Sequence, residues 1–110
     1  MEVTTEQREY VRRLLDAYCA TPGTAGVVRR PDRLLAAQLH ERGVPLETAE
    51  NALALTAMRR LARSVDAPPL GTIRSLAYFL PAIEEVLQTP VSPEYFQHVR
   101  RKLQRTIGAR

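Results

Sequence analysis

The chain has 110 residues, 45% of them apolar and 25% charged, proportions that exclude wholesale disorder and leave room for one core but not two. Its net charge of +4 is carried by the last seventeen residues: positions 1–93 hold eleven Arg against eleven acids, while Arg100, Arg101, Lys102, Arg105 and Arg110 face only Glu94. The single Cys19 excludes an internal disulfide and a cysteine-based zinc site, there is no apolar run of the ~18 residues a membrane span needs, and the first residues lack a signal-peptide layout, so a cytoplasmic location is expected.

Ala and Leu dominate the apolar set, β-branched runs are scarce and Trp is absent. The expected fold is therefore all-α, a single domain over 1–110 built as a compact bundle of about five helices. Thr4-Thr5-Glu6-Gln7 reads as a capping box that opens a first helix reaching about Tyr18, with Val11, Leu14, Leu15 and Tyr18 on its buried stripe. Pro22 and Gly23 stop it. A second helix opens at Pro31-Asp32, with either Pro31 in its first turn or Asp32 as N-cap; it buries Leu34, Leu35 and Leu39 and closes at Gly43. The third starts near Pro45 or Leu46. Its segment from Ala52 to Met58 is apolar almost all round, which predicts the central buried helix. Glu47 and Glu50 near its start, and Arg59, Arg60 and Arg63 near its end, match the helix dipole.

After a rigid connector from Asp66 to Gly71, Thr72 can cap a fourth helix carrying Ile73, Leu76, Ala77 and Leu80. Pro81 removes one backbone hydrogen bond and crowds the carbonyl four residues earlier, so this helix is kinked or split there before the pattern resumes at Ile83, Val86 and Leu87. Ser92-Pro93-Glu94 supplies an N-cap, a proline at the first helical position and an acid at the second, which starts a basic amphipathic helix over about 92–106. The break at Gly43-Val44-Pro45 has the length of a helix-turn-helix turn. Glu47 and Glu50 would repel phosphate at the start of such a reading helix, so a structural helix hairpin is expected instead.

The ingredients of catalysis are thin. His40 falls at the polar end of the second helix, where exposure is expected, without a second imidazole on its face. Cys19 fits a small buried filler, and Glu84 and Glu85 point in two directions on a helix, a poor metal clamp. No glycine motif that cradles phosphates occurs, and no cofactor motif. The expectation is a protein that is not an enzyme and holds no cofactor and no metal.

The last helix is more informative. Phe96, Val99, Leu103 and Ile107 recur at helical spacing and should dock on the body, while His98, Arg100, Arg101, Lys102 and Arg105 fill the remaining face. A helix held on one side and cationic on the other suits the phosphates of nucleic acid, DNA or RNA, with little base specificity. The same charges also satisfy a helix C-terminus, and the excess of Arg over Lys also follows from a GC-rich coding sequence of bacterial type. A secondary basic surface would form if folding merged Arg29, Arg30 and Arg33 with Arg59, Arg60 and Arg63. The pairs Tyr78-Phe79 and Tyr95-Phe96 could stack bases, although helical spacing fits them better to the core. The competing reading is an adaptor or small subunit that docks into a larger protein or nucleoprotein assembly.

Residues about 34–88 resemble the DnaD-type domain of primosome and phage or plasmid replication proteins. Leu39-His40-Glu41-Arg42-Gly43-Val44-Pro45-Leu46-Glu47 resembles that family's glycine-containing turn. Phe79, Ile83 and Leu87 stand at the positions of its Y-x-x-x-I-x-x-x-W pattern, with Phe and Leu replacing Tyr and Trp and with Pro81 inside it. The resemblance implies a role at replication or mobile-element DNA, with the segment after Leu87 touching the nucleic acid.

Overall fold

Thr4 caps the first helix, α1 (Thr5–Ala20), by accepting the Gln7 N–H on its Oγ1 at 3.0 Å. The reciprocal half of the expected capping box is not made. Gln7 is itself buried and turns its amide to the second helix, α2 (Arg30–Glu41), donating to the Ala37 carbonyl at 3.4 Å and to Glu41 Oε1 at 3.5 Å. The structure is a computed structural model that describes residues 4–89 and 92–108; among these there are five α-helices and no strand. Leu14, Leu15 and Tyr18 are buried as expected, Tyr10 joins them, and Val11 is only half-buried.

Pro31 lies in the first turn of α2, where its missing N–H has no intrahelical partner to lose. Asp32 is therefore not the N-cap but the third helical residue, and only 2% exposed. Its Oδ2 accepts the Arg29 N–H and its Oδ1 the Leu76 N–H, both at 2.9 Å, so one buried carboxylate ties the start of α2 to a segment 44 residues on. Leu34 does not join Leu35 and Leu39. It is 53% exposed, because it lies about 200° round the helix from Ala36, which is fully buried in its stead.

Gly43, at φ +79°, ends α2 in the left-handed conformation. The Val44 N–H donates to the Leu39 carbonyl at 3.1 Å and the Gly43 N–H to the His40 carbonyl at 3.0 Å, the paired bonds of a Schellman motif, with Val44 buried beneath them. The third helix, α3 (Leu46–Leu61), is central: it packs on α1, on the turn at Leu76–Phe79 and on both later helices. It ends before Arg63, which belongs to the connector. The α2–α3 hairpin is not a packing unit, since α2 lies mainly on α1 and on the Leu76–Phe79 turn.

The fourth helix begins later than expected. The Ile73 N–H donates to the Gly23 carbonyl at 2.8 Å and the Ala25 N–H to the Ile73 carbonyl at 2.9 Å, a single parallel bridge between two loops that holds Ile73 in the core and keeps Thr72 from capping a helix. A 3-10 turn over Leu76–Phe79 follows, then α4 (Leu80–Gln88), with Pro81 in its first turn. The fourth helix is thus joined from a 3-10 piece and an α piece that meet just before Pro81, as the expected kink or split at that proline requires. Within it Phe79 and Ile83 are fully buried, Leu80 is half-buried, and Ala77 and Leu87 are exposed. The last helix, α5 (Pro93–Gly108), starts as read, with Ser92 Oγ accepting the Tyr95 N–H at 3.2 Å. Among the described residues no helix is long and apolar enough to cross a membrane.

Candidate nucleic-acid interface

Phe96, Val99 and Leu103 are buried, and α5 lies chiefly on α3. The side chain of Ile107, and Arg110, lie outside the described residues. His98, Arg101, Lys102 and Arg105 are exposed on the opposite side of the helix, and His98, Arg101 and Arg105 line an open surface recess with Gln104. The Arg101 Nε donates back to the Gln97 carbonyl at 3.4 Å, which steadies its guanidinium along the helix.

Arg100 does not share that face. It is half-buried and its Nη2 donates to Oδ1 of Asn51, a buried residue of α3. The helical wheel explains this, since Arg100 stands four residues after Phe96 and three before Leu103, at the edge of the docking stripe. Asn51 was the signal for it: an amide in an otherwise apolar helix needs a partner once buried.

The second basic set has two parts. Arg29, Arg30 and Arg33 are exposed around the start of α2. Arg59, Arg60 and Arg63 instead line an open groove of about 600 Å³ with Leu70, Tyr78 and Glu85. Each guanidinium there is held. Arg59 makes two bonds to the Glu85 carboxylate, at 2.7 and 3.1 Å. Arg60 donates to the Tyr78 hydroxyl at 3.0 Å and to the Gly71 carbonyl at 2.7 Å, with its guanidinium carbon 5.6 Å from the Tyr78 ring centre. Arg63 donates to the Pro68 carbonyl at 2.8 Å.

Hydrogen bonding from Arg59 holds the Glu85 carboxyl below its usual range, and the same bond raises Arg59 further. Glu84 turns the other way and accepts Arg42 Nη2 at 2.7 Å, so the two acids do diverge and clamp α4 to two different elements. His40 is half-buried rather than exposed, its ring edge-on to Tyr10 with centres 5.1 Å apart. Cys19 is half-buried against the core. Among the described residues no three His, Cys, Asp or Glu side chains are grouped to hold a metal ion.

Each aromatic pair is divided. Phe79 and Phe96 are buried, while Tyr78 is 46% and Tyr95 45% exposed. Neighbours on a helix point ~100° apart, so both members of such a pair cannot face one narrow core stripe. The fold and these faces define an all-α domain with one cationic helix docked along a single side. No family model, curated protein or solved structure matches the chain.

Proposed function

We propose that this is a small non-enzymatic nucleic-acid-binding protein that contacts phosphates through the exposed face of α5. One observation carries the reading: His98, Arg101, Lys102 and Arg105 lie outward while Phe96, Val99 and Leu103 are buried on the other side. A docked helix offers its cations as a fixed array, so less conformational freedom is lost on binding than with a loose basic tail. Arg100, engaged with Asn51, stands outside the contact set. A setting at replication or mobile-element DNA, which the DnaD-type resemblance implies, belongs to the same proposal.

The test is fluorescence anisotropy with labelled duplex and single-stranded oligonucleotides at low salt. The Arg101→Glu, Arg105→Glu double variant should bind at least about tenfold more weakly, with a log–log salt slope shallower by roughly 0.7–0.9 for each phosphate contact removed. Unchanged affinity in that variant, or no complex with the wild-type protein, refutes the reading.

A further inference from the structure

We infer that the ligand is single-stranded rather than duplex nucleic acid, running from the basic face of α5 past Tyr95, over the Arg59–Glu85 pair, to Tyr78, Arg60 and Arg63. This inference rests on the reading of α5 just proposed and adds the class of strand and its path.

The path is pieced from neighbouring surface features. Tyr95 shares a recess with Arg59 and Glu85 at the start of α5, and the same two residues form one wall of the groove that holds Arg60, Arg63 and Tyr78. Along α5, Lys102 lies seven residues beyond Tyr95, two full turns on, which places both on one flank beside His98 and Arg105. From Tyr95 to Arg105 the helix covers about 15 Å at 1.5 Å per residue. Arg59 and Glu85 neutralise one another midway, so cations stand at both ends of the track and a neutral joint lies between them.

The two tyrosines are mounted alike. Tyr78 stands edge-on to Phe79 at 5.5 Å and 79°, and Tyr95 edge-on to Phe96 at 5.6 Å and 76°. Each phenylalanine is buried, so each exposed ring is braced by a fixed neighbour with little freedom left to lose; at Tyr78 the Arg60 guanidinium already lies over the ring, so a base there shares the ring with that cation. Exposed rings between cations suit unstacked bases, each of which has an aromatic face to lay against them. A duplex keeps its base faces inside the stack, where neither ring can reach them.

The experiment uses the full chain, a fluorescein-labelled twelve-nucleotide oligo-dT and a mixed-sequence duplex of equal length. Wild type should bind oligo-dT at least about tenfold more tightly than duplex. Tyr78→Ala and Tyr95→Ala should each weaken oligo-dT binding by roughly five- to a hundredfold, the range expected for one stacked base, and leave duplex binding unchanged. Tyr→Phe at either position should restore it, since the ring and not the hydroxyl carries the stack. Both side chains are about half exposed, and thermal melts will confirm that the alanine variants remain folded. Equal affinity for the two ligands overturns the inference. So does a Tyr78→Ala, Tyr95→Ala double variant that binds oligo-dT like wild type; if Arg101→Glu, Arg105→Glu still abolishes binding, the phosphate reading survives without this one. Failure of wild type to bind either ligand removes both.

Discussion

The Asp32 carboxylate accepts two backbone N–H groups from segments far apart in the chain while almost wholly removed from water. Truncating it would leave the buried Leu76 N–H without a partner and uncap the part-buried Arg29 N–H. Asp32→Ala should therefore cost about 3 kcal/mol in a urea melt, from two charge-assisted hydrogen bonds, and Asp32→Asn less because its amide oxygen can keep one of them. The opposite situation holds at Tyr18, whose buried hydroxyl has no hydrogen-bond partner among the described residues. Tyr18→Phe should raise stability by up to about 1 kcal/mol, and an unchanged or lower melting temperature would contradict that. Sequence reading placed Asp32 correctly at the start of a helix, from the Pro-Asp pair. Its bond to Leu76 was invisible, because nothing in local spacing selects a partner 44 residues away. Leu34 failed for a simpler reason: three leucines in a short helix overfill a stripe that needs only some of them, and Ala36 holds the central place.

Among the elements, the best-read boundaries were those with their own chemistry. Thr4, Gly43 and Ser92 each satisfy backbone groups locally, so their residue types report the ends of α1, α2 and α5 directly. Thr72 has the same residue type, yet the backbone beside it is taken by the bridge from Ile73 to Gly23 and Ala25, and tertiary pairing overrides the cap. The short helix α4 is seated by buried Ile83 and Val86 and tied at its surface by two divergent acids, Glu84 to Arg42 and Glu85 to Arg59. Because Arg59 holds the Glu85 carboxyl low, that pair stabilises the fold above the ordinary carboxylate value of 4.5 and is lost as pH falls through the lower folded-state value. Wild type should thus melt slightly above Glu85→Gln at neutral pH, and the gap should close in acid; a gap that persists at pH 2 contradicts this assignment. Asn51 and Arg100 join α5 to α3 by a polar contact at the edge of an apolar seam. A double-mutant cycle with Asn51→Ala and Arg100→Ala should give a coupling of about 1–2 kcal/mol, whereas a value near zero would mean the pair is incidental.

For the whole molecule, the sequence exposed the class and the charge layout but not the joining of distant parts. Helical spacing and composition were enough to see an all-α domain with a cationic last helix, because each depends on residues within a few turns. The meeting of the loops at Thr24 and Ile73, and the groove where Arg60, Gly71 and Tyr78 converge, depend on contacts across the fold. Gly23 sits at that convergence with φ +93°, and a Cβ there would stand 3.2 Å from Arg60 Nε. Gly23→Ala should lower stability by roughly 1–2 kcal/mol through backbone strain, and should also displace Arg60 from Tyr78; a wild-type melting curve would show that the loop can relax.

The seating of α5 chiefly on one neighbour sets how it can come apart. A helix with one main seam can open while the rest of the protein stays folded, so its amide hydrogens should exchange with solvent by local release, faster than those of α3, which is packed on several sides. A bound strand that bridges α5 and the groove beyond Arg59 would have to hold that seam shut. The ligand would then slow exchange on the inner side of α5 that it never touches, and this slowing would record the mechanical linkage between the cationic helix and the body that carries it.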